Sequence, residues 1–249
     1  MSGHSKWSKI KRDKQSKDKQ KGNLFSKMSR LITLAVIEGG GVTNPENNVK
    51  LRLAIEKAKK INLPKDNIGR AIEKGIGPNR QQLKEIIYEA FGPRGGSFII
   101  LATSDNANRT LSEVRNAVES LGGKLGNQGS VMYLFKKYGM ASFKVGEARY
   151  NTVPGETEEE AVFSFADKIN AFDIDKDEEF FYIHFPYEFL GKAKEFLNEL
   201  KVDSIEIEYK PDSAIKVTDN DLKKKILAFI EALENLDDVH KVFANFVLE

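Results

Sequence analysis

Apolar residues recur at helical spacing in the first third of the chain. Between residues 23 and 38 they lie three or four positions apart, and the pattern ends at three glycines, 39–41, which no helix continues readily. A second amphipathic segment carries Leu51, Ile55 and Ala58, and a third begins near Pro64, a residue favoured in a first helical turn. The pattern predicts a compact domain of three short helices.

Short apolar runs replace this spacing from residue 83 onward. Runs at 86–88 and 97–103 flank a Gly- and Pro-rich loop and predict a β-hairpin, which a helix at 109–121 and a strand at 131–135 follow. This β-β-α-β order lacks one α-β unit of a complete split sandwich. The final stretch supplies a strand, a helix and another strand, at 214–217, 222–234 and 239–246.

The segment between these two parts has an order of its own. It reads strand, helix, strand, strand, helix, strand, the order of a ferredoxin-like sandwich, at 140–145, 156–168, 171–174, 180–185, 186–200 and 204–209. We therefore predict an α+β protein of three domains, with one ferredoxin-like α/β sandwich inserted in another. The predicted boundaries are 1–80 for a basic arm and three-helix domain, 81–136 with 210–249 for the discontinuous sandwich, and 137–209 for the inserted one.

Charge is distributed very unevenly along the chain. Residues 1–80 hold 19 Lys and Arg against 7 Asp and Glu, a net +12, whereas the remaining 169 residues hold 20 against 30, a net −10. Localised positive charge of this kind indicates a polyanionic partner. The first 21 residues, the basic arm, have few apolar side chains, so we expect them to become ordered only on what they bind.

Nucleic acid is the polyanion that this arm predicts, although a solubilising tail is the simpler alternative. Cations would contact phosphates, and Trp7 would stack on an unpaired base. The predicted contact residues are Lys6, Trp7, Lys9, Lys11, Arg12, Lys14, Lys17, Lys19, Lys21, Lys27 and Arg30. A second anion site is predicted at Asn106, Arg109 and Arg115, where a strand leads into a helix whose first amides point outward, although helix capping explains most of these residues.

Other kinds of chemistry find little support in the sequence. The glycine-rich stretch 122–129 follows a helix and precedes a strand, the reverse of a phosphate loop, and reads as tight turns. With no cysteine and three scattered histidines, no metal site, cofactor or nucleophile is predicted. No apolar run of membrane-spanning length and no secretory signal occur, so we expect a cytoplasmic protein that contacts no membrane.

Several motifs resemble the YebC/PmpR family, which includes the mitochondrial translational activator of cytochrome c oxidase. They are Gly-His-Ser-Lys-Trp at 3–7, Gly-Gly-Gly at 39–41, Leu-Pro-Lys-Asp-Asn-Ile at 63–68, Ile-Tyr-Glu at 87–89, Asn-Arg-Thr at 108–110, Glu-Val-Arg at 113–115 and the stretch 122–131. The resemblance implies a three-domain, non-enzymatic regulatory protein. Ala107 replaces an Arg usual in the family, and we expect Arg94 and Lys124 to restore charge nearby.

The resemblance implies two roles that predict the same basic arm. The leading hypothesis is a DNA-binding transcriptional regulator, and the alternative is a ribosome-associated translation factor that binds ribosomal RNA. A metal-dependent hydrolase and a pure protein adaptor are weaker alternatives. Expected partners are therefore duplex DNA or ribosomal RNA, with a protein partner on the acidic domains, and a monomer is the favoured oligomeric state.

Overall fold

The computed structural model describes residues 19–78, 80–148, 157–195 and 200–248. Within them, Lys136–Lys210 form one compact unit, and the segments before and after it form another. This is the α+β, multi-domain architecture that the sequence predicts. No helix in the described ranges combines the length and apolar character needed to cross a bilayer.

Three helices make up the first part of the larger unit: α1 (Lys19–Glu38), α2 (Val49–Lys60) and α3 (Lys65–Ile76). Their shared core contains Ile32, Val36, Leu51 and Ala71. Gly75 allows α3 to approach α1 closely, because a Cβ at this position would lie 2.6 Å from Cβ of Val36. The α1 helix is already helical at Lys19, four residues before the predicted start.

The rest of the larger unit is a four-stranded sheet covered on one face by two helices. Its elements are β1 (Lys84–Phe91), β2 (Ser97–Ser104), α4 (Ala107–Ser120), β3 (Lys124–Leu125), α7 (Asn220–Glu234) and β9 (Val239–Ala244). The strand order is β3-β1-β2-β9. Phe98 of β2 and Phe229 of α7 pack with ring centroids 4.7 Å apart, in a core shared with Val118 of α4.

The chain leaves this sheet after β9. Asn245 exchanges hydrogen bonds with Ser97 on β2, donating its backbone N–H to the Ser97 carbonyl at 3.1 Å and accepting the Ser97 N–H at 2.8 Å. Beyond it, β10 (Phe246–Leu248) pairs in parallel with β8 (Ile215–Val217). The single strand predicted at 239–246 is therefore two strands.

The predicted strand at 131–135 is wrong. Residues Met132–Leu134 form a 3₁₀ turn, and the third strand of the sheet is the two-residue β3. The reason is that the backbone amides of Val131 and Met132 donate to the carboxylate of Glu89 and not to a neighbouring strand.

The smaller unit is a ferredoxin-like sandwich. Its elements are β4 (Phe135–Lys144), α5 (Glu158–Lys168), β5 (Asp173–Lys176), β6 (Phe180–Pro186), α6 (Leu190–Glu195) and β7 (Ser204–Pro211). The strand order is β5-β6-β4-β7. Phe165 of α5 packs edge-on against Phe143 of β4, with ring centroids 5.1 Å apart, and α5 begins with a capping box formed by Thr157 and Glu160.

Candidate nucleic-acid interface

One face of α1 docks on the end of α7 through three polar side chains. Asn23, Lys27 and Arg30 lie four and three residues apart and so share a helix face. Asn23 Nδ2 donates to the carbonyl of Asn235 at 2.7 Å, Lys27 Nζ to that of Glu234, and Arg30 Nη1 to that of Asp237. Carbonyls at a helix C-terminus have no partner within the helix, and cations interact favourably with that end. The docking face therefore fixes α1 to the α7 end of the sheet-containing part of the larger unit.

A buried carboxylate lies beside this docking face. The side chain of Asp238 is 1% exposed, and its Oδ2 accepts hydrogen bonds from Ser104 Oγ at 2.9 Å, Thr110 Oγ1 at 2.5 Å and Arg109 Nη2 at 2.9 Å. Its other oxygen, Oδ1, is 3.1 Å from Arg30 Nη1. Asp238 thus connects α1, the end of β2 and the start of α4.

The ionisation of Asp238 follows from these contacts. Burial raises the pKa of this carboxyl, but the hydrogen bonds from Thr110, Arg109 and Ser104 and the charge of Arg30 outweigh burial, so the net pKa is lowered. The hydrogen bond to Asp238 in turn raises the pKa of Arg109 above its ordinary value. The Asp238 carboxyl is therefore a carboxylate at neutral pH.

The predicted second anion site is only partly assembled. Asn106 caps α4, accepting the Arg109 N–H at 3.1 Å, and the Arg109 guanidinium contacts Asp105 at 3.1 Å as well as Asp238. Arg115 is exposed six residues further along α4, and six residues of helix turn it onto a different face. Two of the three residues therefore meet, and the Arg109 guanidinium already contacts two protein carboxylates.

The expectation that Arg94 and Lys124 restore charge near Ala107 is wrong. Lys124 pairs with Phe91 at the hairpin end of β1, and Arg94 lies in the hairpin turn itself. Ala107 follows Ser104, which pairs with Lys84 at the opposite end of β1. An eight-residue strand places these two ends roughly 25 Å apart.

Exposed positive charge in the helical domain is concentrated around α3. Lys59 and Lys60 end α2, and Lys65 begins α3 after a four-residue turn, so three exposed lysines flank that turn. Arg70 and Lys74 are exposed one helical turn apart on α3. We call these five residues the α3 cation patch; Asp66 and Glu73 are exposed among them.

Most of the predicted arm contacts cannot be placed. Lys6, Trp7, Lys9, Lys11, Arg12, Lys14 and Lys17 lie outside the described residues, as do the side chains of Lys19 and Lys21. Lys27 and Arg30 are described, and both donate to carbonyls of the protein itself. Phosphate binding by the arm stays a prediction.

Sequence reasoning missed two buried acids of the larger unit, Glu89 and Asp238. Asp238 lies in the loop between α7 and β9, and neither its neighbours in the sequence nor its position relative to other polar residues indicates that it is buried. Glu89 gave a signal, because an acid between Tyr88 and Ala90 interrupts an apolar strand. Its carboxylate is buried and accepts the backbone N–H groups of Gly129 and Val131 at 2.6 Å and of Met132 at 2.8 Å.

Comparison with protein families covers both parts of the chain. A model of the TACO1/YebC N-terminal domain matches residues 5–78, and a model of the TACO1/YebC second and third domain matches residues 83–246. The chain belongs to the TACO1/YebC family. Within the described residues, no three His, Asp or Glu side chains come together as metal ligands would.

Relatives match this TACO1/YebC chain over nearly its whole length. A protein from Aquifex aeolicus named "Probable transcriptional regulatory protein" is 43% identical, over 99% of this chain and 96% of its own. One of the same name from Persephonella marina is 39% identical over the same shares. The crystal structure of a conserved hypothetical protein from Aquifex aeolicus has a TM-score of 0.76 at 38% identity, covering 95% of both chains.

Proposed function

We propose that this protein is a non-enzymatic regulator that binds nucleic acid through its N-terminal 80 residues, with duplex DNA as its favoured target. The observation that carries the proposal is the net charge of +12 in these residues, against −10 in the rest. Positive charge concentrated at one end displaces counterions from a phosphate backbone and directs that end to it. The names of the relatives support a role in transcriptional regulation.

The docking of α1 supports the proposal in a second way. Because Asn23, Lys27 and Arg30 hold α1 against the end of α7, the basic residues that precede α1 in sequence are attached to a fixed point of the sandwich. The α3 cation patch belongs to the same domain. We propose that arm and patch contact one phosphate backbone.

A second candidate target is ribosomal RNA, which would make the protein a translation factor. The observation that favours it is the exposed surface of α3, where Asp66 and Glu73 accompany Arg70 and Lys74. Acids beside cations would be repelled by a bare phosphate backbone, but their carboxylates can accept hydrogen bonds from the 2′-hydroxyls of RNA, which DNA lacks.

The acidic part of the molecule has a different proposed task. Residues 136–210 hold 17 Asp and Glu against 10 Lys and Arg, a net −7, and phosphate would repel them. We propose that this unit contacts a protein partner while the N-terminal part holds nucleic acid. A cytoplasmic location and a monomeric state accompany the proposal as predictions from the sequence.

The proposal is tested by measuring binding of the full chain to duplex DNA and to ribosomes over a range of salt concentrations. With six to ten phosphate contacts, the affinity falls by about 10³- to 10⁵-fold between 50 and 200 mM salt. Trp7 is the only tryptophan, so quenching of its fluorescence on binding reports directly on the arm.

Replacing residues 1–18 with a single Met should abolish most of this salt dependence. A matched control neutralises positive charge elsewhere: changing Lys223, Lys224 and Lys225 of α7 to Gln removes three charges and should leave binding intact. Tighter binding to ribosomes than to DNA would select the translational role. Indifference of the intact protein to both, at low salt, would refute nucleic-acid binding altogether.

A further inference from the structure

A loop on the larger unit combines a fixed backbone with an unusual surface. The loop runs from Gly126 to Leu134, after β3. Between Ser120 and Phe135 the chain contains no Asp or Glu, although the protein has 37 of them. The acid that approaches this loop from β1, Glu89, is buried and bonded to backbone amides. The loop therefore carries no carboxylate of its own that would repel phosphate.

The Glu89 carboxylate holds the loop in one conformation. Three backbone N–H groups, of Gly129, Val131 and Met132, converge on its two oxygens, and the Gly126 N–H donates to the Glu89 carbonyl at 2.8 Å. Gly129 has φ +85°, a backbone conformation that is unfavourable for residues other than glycine. Charge-assisted bonds of this kind are roughly twice as strong as neutral ones. A loop fixed in this way can present a side chain with little loss of entropy on binding.

The side chain that the loop presents is Tyr133. Val131 is 0% exposed and anchors the turn, whereas Tyr133, two residues later, is 73% exposed, more than any other large hydrophobic side chain in the described residues. Lys124, Asn127 and Gln128 are exposed on the same segment. An aromatic face, two amides and a cation, with no acid among them, are the groups that bind unpaired nucleotides.

We propose that Tyr133 is a stacking platform for an unpaired nucleobase, and that Asn127, Gln128 and Lys124 contact the same nucleotide strand. The inference rests on the proposed function, because it adds a second contact to the phosphate-binding N-terminal part. This second contact lies beside the sheet of the larger unit and recognises single-stranded nucleic acid. Glu89 is a positioning residue for this site. An unpaired base occurs in single-stranded RNA and in melted DNA, and both present the same aromatic face.

The test measures fluorescence anisotropy of labelled 12-nucleotide oligouridylate, of the matching oligothymidylate and of a 12-base-pair duplex, each with the full chain. Tyr133→Ala should weaken binding to a single strand by about 5- to 100-fold, since stacking on one base contributes that much. Duplex affinity and the salt dependence of binding should not change, because stacking releases no counterions. Tyr133→Phe keeps the aromatic ring and should bind the single strands with the wild-type affinity.

Two controls separate the site from general effects. Phe163 on α5 of the smaller unit is 49% exposed, and Phe163→Ala should leave all three affinities unchanged. Glu89→Gln should weaken single-strand binding in the wild-type background but not further in Tyr133→Ala, since both changes act on one contact. Thermal melting of each variant shows whether it is folded.

The outcomes distinguish this inference from the proposed function. Loss of single-strand affinity in Tyr133→Ala with duplex binding intact supports the inference, and a larger loss for one oligonucleotide identifies the preferred sugar. If the wild-type protein binds nucleic acid and Tyr133→Ala binds single strands equally well, the inference fails alone, and the exposed ring serves some other contact such as a peptide. If the wild-type protein binds none of the three probes, the inference fails, and the proposed function fails with it only if the protein also binds no ribosomes at low salt.

Discussion

Asp238 shows how one buried side chain can connect elements that are far apart in sequence. It accepts hydrogen bonds from Ser104, Thr110 and Arg109 and faces Arg30 at 3.1 Å. Asp238→Asn keeps the size but removes the charge and places an N–H₂ group among donors. Breaking a buried, hydrogen-bonded pair is costly. We expect a loss of about 2–4 kcal/mol in the free energy of unfolding, measured by urea denaturation.

The same residue predicts a pH dependence. Because the folded-state pKa of Asp238 is lowered, below the value of about 3.9 typical of an unfolded chain, its contribution to stability is present above that value and is lost as the pH falls through the folded-state pKa. The wild-type protein and Asp238→Asn should therefore differ most in stability near neutral pH and converge in acid. A difference that stays constant down to about pH 2 would contradict the assigned charge.

At the scale of residues, the sequence indicates which charged side chains are unusual but not which distant residues they contact. Of the predicted second anion site, Asn106 and Arg109 do meet at the start of α4. Asp238 completes the cluster from 128 positions beyond Thr110. Spacing rules describe neighbours within one element, so a contact of this sequence separation is invisible to them.

The docking face of α1 allows structural and ligand-binding cations to be told apart. Lys27→Ala with Arg30→Ala removes donors from the carbonyls at the end of α7, so it should lower the free energy of unfolding by about 1–3 kcal/mol. The dependence of nucleic-acid affinity on salt should stay the same, because these groups already have protein acceptors.

A double change in the α3 cation patch is the matched comparison. Lys59→Ala with Lys74→Ala also removes two positive charges from the helical domain, but from exposed positions. The slope of log affinity against log salt should become shallower by roughly 0.9 for each phosphate that is no longer neutralised, with little change in stability. If instead the change at Lys27 and Arg30 makes the slope shallower and the double change in the α3 cation patch lowers stability, then Lys27 and Arg30 bind the phosphates.

At the scale of elements, periodicity predicted the helices better than the strands. Gly39–Gly41 and Pro64 mark real helix boundaries, because backbone freedom and a fixed φ act locally. The strand predicted at 131–135 failed because a side chain on β1, Glu89, took the amides that a ladder would need. Apolar character shows that Val131 and Phe135 are buried, but not that they pair.

The whole molecule combines two compact units of opposite charge. The unequal charge could be read directly from the sequence, since it needs only counting. What could not be read are the contacts that join the two segments flanking the insertion: β9 pairs with β2, and the Asp212 N–H donates to the Leu134 carbonyl at 2.9 Å. That hydrogen bond places the two ends of the inserted segment side by side.

Adjacent ends make the inserted unit removable. Replacing residues 136–210 with a short Gly-Ser linker should leave the larger unit folded, because the linker spans only a few ångströms and the core around Phe98 and Phe229 lies wholly in that unit. We expect one cooperative thermal transition in circular dichroism and a Tm within about 10 °C of that of the intact chain. Nucleic-acid affinity should be kept or slightly increased, since removal of residues 136–210 takes away a net charge of −7. A folded but non-binding product would show that the acidic unit takes part in holding nucleic acid, which the proposed division of tasks forbids.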